Sequence, residues 1–204
     1  MVEVALLPNP GEPLSVLFMN TLWADRDGVH DVLDHRSGLT GWLGAVATRL
    51  PVGAQPRRVQ AEDAATFRQL RDALRRLAAE RTADPRPGAV NPSIPAVVAE
   101  AARVLNNALA LAPAIARLSW PDGELTSAAP TGASPAVAAL SAIAADGAAQ
   151  LSREHLDRLR ACLAPGCVLY FVQDHPRREW CSTACGNRAR AARHYARHKT
   201  SQAG

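Results

Sequence analysis

Four cysteines, Cys162, Cys167, Cys181 and Cys185, fall within the last quarter of a chain whose preceding 161 residues contain none. Two close pairs joined by a short spacer are what a tetrahedral four-sulfur zinc site needs. Each pair bends the chain so that two sulfurs converge, and the spacer brings the second pair back to the first. Ala164-Pro165-Gly166 supplies a tight knuckle inside the first pair. The competing readings are two disulfides, a redox pair or inert thiols. Disulfides conflict with an N-terminus that shows no secretory signal, and the Cys-x-x-Cys redox spacing is absent. One zinc held by four sulfurs has a closed shell and is therefore expected to be structural. The segment around it has little core of its own, so metal binding, worth on the order of 10 kcal/mol or more, is expected to supply most of its folding energy.

The sequence around the cysteines predicts a hairpin and then a helix. Val168 to Val172 is a β-prone run, Gln173-Asp174-His175-Pro176 reads as a turn, and Arg177 to Trp180 as the return. Ser182 can cap a helix from about Thr183 to His198, which puts the second ligand pair at its N-terminus in a treble-clef arrangement. Four thiolates and one Zn²⁺ leave about two negative charges, which a helix N-terminus and nearby cations offset. Arg188, Arg177 and Asp174 are the expected supports of the sulfur cluster, Arg188 either beside the sulfurs or paired with Asp174. On an ideal helix Cys181, Cys185, Arg188, Ala192 and Tyr195 share the zinc-facing side. Arg190, Arg193, His194 and Arg197 fall on the opposite side. With Lys199, Asn187 and Arg178 they are the expected contacts to double-stranded DNA. The plainer reading is a solvated basic terminus.

Composition supports a helical remainder. Aromatics make up only 4% of the 204 residues and alanine is abundant, which favours packed helices over a β-sandwich. The fold class expected is mainly α with a small β-hairpin, divided into a helical domain at 1–150 and the zinc module at 151–204. Residues 1–150 hold 13 Lys and Arg against 15 acidic residues, while 151–204 hold 10 against 4. The body is therefore slightly acidic and the module basic. Val2 to Leu7 reads as a short strand, Leu14 to Trp23 as a buried helix leaving through Asp25-Arg26-Asp27-Gly28, and Ser37 to about Leu50 as a capped helix. Ala61 to Ala83 is the clearest amphipathic helix. Phe67, Leu70, Leu74 and Leu77 form its stripe, and Arg68, Arg71, Arg75 and Arg76 a solvated face with i,i+4 pairs to Asp72 and Glu80. Further helices are expected from Pro95 to Leu109 (capped by Ser93), from Ser134-Pro135 to Ala149, and from Ser152 to near Ala161. Ala114 to Trp120 and Glu124 to Ser127 read as a hairpin. No run of 18 apolar residues occurs, so no membrane span and a cytoplasmic location are expected.

The string Trp180-Cys181-Ser182, then Cys185-Gly186-Asn187-Arg188, resembles the CGNR zinc-finger family. The likeness runs from Arg158-Leu159-Arg160-Ala161-Cys162 through Leu169-Tyr170-Phe171 to the basic stretch ending near Lys199. Phe18-Met19-Asn20-Thr21-Leu22, the Leu39-x-x-Trp42-Leu43 helix and Leu105-Asn106-x-x-Leu109 resemble the ABATE domain that precedes that finger. The chain departs from the pattern in a Cys181–Cys185 spacing one residue shorter and in a shorter turn at Asp174-His175-Pro176. The resemblance implies a bacterial transcription regulator, often stress-induced. Its finger is expected to bind DNA, and its N-terminal domain to sense a small-molecule effector or to oligomerise.

Two other classes compete. A protein-interaction adaptor would use the zinc module as a docking surface without touching DNA. An enzyme would need a site, and His30, Asp31, Asp34 and His35 are the compact group available. Helix-end and loop polarity explains them without chemistry, and no enzyme is expected. Asn20 and Thr21, polar residues in an apolar helix, either line the effector pocket or satisfy local backbone.

Overall fold

The computed structural model describes residues 9–56, 58–86, 91, 93–119, 123–128, 132–152 and 158–201, with helix or strand assigned but no side-chain placement at 116–119, 124–128 and 199–201. The strand expected over Val2 to Leu7 lies outside these residues. Among those described, six α-helices and three two-stranded antiparallel ladders occur, so the chain is mostly α. In chain order they are α1 (Leu14–Met19), β1 (Leu22–Asp25), β2 (Gly28–Asp31), α2 (Arg36–Ala45), α3 (Ala61–Thr82), α4 (Val98–Leu111), β3 (Ile115–Ser119), β4 (Glu124–Ala128), α5 (Pro135–Gln150), β5 (Leu159–Ala161), β6 (Tyr170–Val172) and α6 (Thr183–Ser201).

Helix α3 is the axis of the molecule. It packs against α1, α4 and α5, and also against β5 of the zinc segment. Its first turn is closed by the Gln60 N–H donating to Asp63 Oδ2 at 2.7 Å, and it ends where Ala83 turns left-handed at φ 51°. Phe67, Leu70 and Leu74 are buried beneath Phe18, whose ring lies 5.1 Å from Trp42 and 6.0 Å, edge-on, from Phe67. Ser134 caps α5 by accepting the Val137 N–H, with Pro135 in the first turn as the sequence indicated. The β3–β4 hairpin also forms at the expected place, Trp120 lying outside the described residues.

Several boundaries differ from the sequence reading. The helix from Leu14 stops at Met19 rather than Trp23, and Leu22–Asp25 pairs with Gly28–Asp31 as a hairpin. The reason is tertiary. Asn20 is drawn away to a strand 150 residues later, and Thr21 donates its hydroxyl to the Phe18 carbonyl at 2.8 Å. Four-residue strands leave too little alternation to register as a period. Helix α2 begins after His35, not Ser37, and ends at Ala45, followed by a 3₁₀ turn at Ala47–Arg49. Its start abuts the hairpin so closely that a Cβ on Gly38 would lie 1.8 Å from the Val32 carbonyl oxygen. Helix α4 begins at Val98 without a side-chain cap, Ser93 lying five residues before it with its N–H donated to Asn91 Oδ1. Of the helix expected from Ser152 to near Ala161, residues 153–157 lie outside the described residues, and Leu159–Ala161 instead form β5, which pairs with β6. Residues 177–180, expected as the return strand, form no strand.

The arginines of α3 are the largest departure. Arg71 and Arg75 are 1% exposed, not solvated. Arg71 pairs with Asp31 across the fold and with Asp72 at 2.9 Å, so Asp72 does not serve Arg68. The exposed pair expected between Arg76 and Glu80 is present at 3.1 Å. Arg75 donates to the carbonyls of Met19 and Val168, both at 2.9 Å, and lies over the Tyr170 ring. Burial lowers its pKa, and the carbonyls compensate part of that desolvation.

Strand β6 explains why the zinc segment joins the main core. One edge pairs with β5. On the other edge the Tyr170 N–H donates to Asn20 Oδ1 at 2.9 Å, and Asn20 Nδ2 donates to the Tyr170 carbonyl at 2.8 Å. The Asn20 amide thus takes the place of a neighbouring strand. Further along, the Val172 N–H donates to Glu12 Oε2 and the Val172 carbonyl accepts from Arg178. With both edges occupied, no position remains for a third strand. Leu159 and Tyr170 consequently belong to the same buried cluster as Leu17, Phe18 and Leu74.

Replacing Asn20 by Ala leaves two buried backbone groups of Tyr170 without partners. We expect a loss of about 3 kcal/mol, measurable as a lower urea midpoint.

Candidate metal centre and basic helix

The sulfurs of Cys162, Cys167, Cys181 and Cys185 lie within 4.8 Å of one another, and all four residues are buried. The Cys162 N–H donates to the Leu169 carbonyl and the Cys167 N–H to that of Ala164, which fixes the knuckle between β5 and β6. The second pair comes from the start of α6, where Ser182 accepts the Cys185 N–H at 3.2 Å. Cys167 and Cys181 sulfurs are 3.7 Å apart, and Cys181 and Cys185 3.4 Å. A tetrahedron of zinc–sulfur bonds of about 2.3 Å separates its sulfurs by about 3.8 Å. All four cysteines are free.

The proton balance of the cluster follows from the same closeness of the sulfurs. Hydrogen bonds from Cys167 and then Cys181 bring Cys162 down to about 6, and those from Cys162, Cys167 and Cys181 hold Cys185 well below the ordinary thiol range. The same contacts push Cys167 and Cys181 well up. Four thiolates this close cannot all ionise without a cation among them. The cysteines are therefore positioned to bind a metal ion, and soft, buried, closed four-sulfur ligation fits one structural zinc.

Two arginines brace the cluster. Arg188 places Nη2 3.1 Å from the Cys185 sulfur and Nε 3.2 Å from the Pro165 carbonyl, tying α6 to the knuckle. Arg86 arrives from the segment that follows α3, 76 residues before Cys162. Its Nη1 donates to the carbonyls of Cys162, at 2.9 Å, and Cys167, while Nε bonds Asp84 at 2.6 Å. Tyr170 donates its hydroxyl to the same Asp84 at 2.9 Å. Burial works against the charge on Asp84, but the hydrogen bonds from Arg86 and Tyr170 outweigh it and hold the carboxyl below its usual range. Sequence reasoning missed Arg86 because nothing local distinguishes an arginine in a proline-rich loop 76 residues before its partner.

The other expected supports lie elsewhere. Asp174 is 67% exposed and its partner is Arg178, 3.5 Å away, not Arg188. Arg177 is exposed, its N–H held by His175 Nδ1. Both sit on the exposed turn after β6. Arg178, expected at DNA, is turned inward. It pairs with the buried Glu12 at 2.5 Å, donates to the carbonyls of Val172 and Cys181, and lies over the Phe171 ring. Asn20 and Thr21, expected either to line an effector pocket or to satisfy local backbone, are fully buried with their side chains donating to backbone carbonyls, as in the second reading. His30 pairs with Asp25, Asp31 with Arg71, and Asp34 with His35, so that group does not converge on one point.

Helix α6 leaves the body early. Gly186 sits where a Cβ would come within 3.1 Å of the Trp180 ring, and Ala189 is the last buried residue. Every residue from Arg190 to His198 is exposed. Ala192 and Tyr195, expected to face the zinc, are therefore in solvent, Tyr195 at 74% exposure. The module is too short to cover more than the first two turns. Arg190, Arg193, His194 and Arg197 line one groove of the helix surface, with Asn187 accepting from Arg190 at 2.5 Å. Lys199 belongs to the helix, but its side chain lies outside the described residues. Elsewhere, a cleft of about 900 Å³ lies between α3 and α4, with Gln69, Arg71, Asp72, Val104 and Asn107 among its walls.

Arg86→Ala is expected to reduce zinc affinity roughly 10- to 100-fold without removing a ligand, measured by competition with a chromogenic chelator. Cys185→Ala should lose stoichiometric zinc altogether.

Comparison with known proteins agrees with this geometry. Residues 158–198 match the family model described as "CGNR zinc finger", and residues 12–154 match ABATE, described as "Putative stress-induced transcription regulator". No curated protein matches the chain. No helix among the described residues is long and apolar enough to cross a membrane. With most of its length, residues 12–154, matched by the ABATE model and the metal centre by the zinc-finger model, the chain belongs to the ABATE family and carries a CGNR zinc finger over residues 158–198.

Proposed function

We propose that the protein is a transcription regulator that binds double-stranded DNA through the outer part of α6. The carrying observation is that helix: from Arg190 to His198 it is wholly exposed, it contains no acidic residue, and it displays Arg190, Arg193, His194 and Arg197 on one groove. Nineteen residues make a rod about 28 Å long, narrow enough to enter a major groove. The zinc cluster and Arg188 fix its root, so the direction of the rod is set by the rigid body of the protein. Asn187 serves this face by orienting Arg190. Arg178 has no part in it, being committed to Glu12.

The N-terminal domain supplies an effector site in this reading. The α3–α4 cleft is within the range of small-molecule pockets. It shares Arg71 and Asp72 with α3, one turn before Arg75, whose guanidinium holds the Val168 carbonyl beside Cys167. A ligand that shifts α3 would therefore bear on the finger directly. Tyr195, an exposed aromatic side chain on α6, favours a second reading in which the helix docks a protein instead.

Salt-titrated binding of the zinc-loaded protein to duplex DNA tests the first reading. Affinity should fall steeply with salt, and Arg193→Ala should reduce the logarithmic slope by about 1. Arg178→Ala should instead lower stability. No retardation of any genomic duplex at low salt would leave the docking reading in its place.

A further inference from the structure

We propose that His194 and His198 form a second metal site, separate from the cysteine cluster, that takes a divalent late first-row transition ion of tetragonal preference. The two residues are one turn apart on α6, both exposed, with Nε2 atoms 3.0 Å apart and ring centroids 4.3 Å apart. Two metal–nitrogen bonds of about 2.0–2.1 Å meeting at a right angle separate their nitrogens by about 2.9 Å, whereas a tetrahedral angle requires about 3.3 Å. The observed separation matches the right-angled arrangement of Ni(II) or Cu(II) more closely than tetrahedral zinc. Without metal, the same approach is one hydrogen bond, the Nε2–H of one neutral ring donating to the lone pair of the other. Metal binding requires the donor ring to move its proton to Nδ1, so that both Nε2 lone pairs face the ion.

The helix makes this pairing inexpensive. Residues four apart stand on one face, so the rings are brought together without folding a loop around the ion. Two protein ligands leave the remaining positions to water or an anionic oxygen. Arg190, Arg193 and Arg197 share the groove with His194 and oppose a cation there, which keeps the affinity moderate and favours an anionic co-ligand. Neither the cysteine site nor DNA binding is a premise of this proposal.

The test is a calorimetric titration of Ni(II) into the full-length, zinc-loaded protein, with zinc content measured in the same samples. The expected result is one Ni(II) per chain at micromolar affinity with zinc retained. His194→Asn and His198→Asn should each weaken it at least tenfold. Both positions are on exposed helix surface, and circular dichroism together with retained zinc confirms that the variants are folded. Ni(II) binding in either variant as tight as in the parent protein, absence of binding in the parent protein, or binding accompanied by loss of zinc would each overturn the proposal.

Discussion

The free edge of a three-residue strand governs how this protein is assembled. Tyr170–Val172 pairs with β5 on one side only, and the exposed amides and carbonyls of the other side would be costly to bury unpaired. Asn20 meets both polar groups of Tyr170 with one side-chain amide, while Glu12 and Arg178 meet those of Val172. The contacts of Asn20 and Glu12 reach back 150 and 160 residues. They turn what would be a free-standing metal-nucleated hairpin into part of the N-terminal core, with the Tyr170 ring packed among the residues that surround Phe18.

That arrangement changes what the zinc ion has to do. In an isolated finger, metal ligation provides most of the folding energy. Here the knuckle is also held from outside by Arg86 on the Cys162 and Cys167 carbonyls and by Arg75 on Val168. The metal's distinct role is at the other pair, Cys181 and Cys185, where it fastens the root of α6. From Arg190 to His198 every residue of that helix is exposed, so its direction depends on the cluster, on Arg188 and on Gly186 against Trp180.

Buried cations recur throughout. Arg71, Arg75, Arg86 and Arg178 are each desolvated to some degree, and each is matched by carbonyls or carboxylates rather than left in apolar surroundings. Pairs of this kind add little net stability compared with an apolar core, but removing one partner is expensive. Their value here is positional: Arg75, Arg86 and Arg178 each link the N-terminal domain to the zinc segment, and Arg71 ties α3 to the β1–β2 hairpin through Asp31. Burial raises the Glu12 pKa, though the Val172 N–H and Arg178 pull the other way, as expected for a carboxylate held in such a joint.

The sequence alone determined the four metal ligands, the helix that carries the second pair, the long α3 and its apolar stripe, and the family. All of these are written in short spacings or in a 3.6-residue period, which any fold must respect. Only the tertiary structure decided the fate of the polar residues. Asn20, read as a possible pocket lining, is a strand surrogate; Arg71 and Arg75, read as solvated, are interior; Arg178, read as DNA-facing, is a clasp; and Arg86 is a support of the metal site. Each depends on a partner far away in the chain, and an arginine carries the same local pattern whether its guanidinium ends in water or on a buried carbonyl.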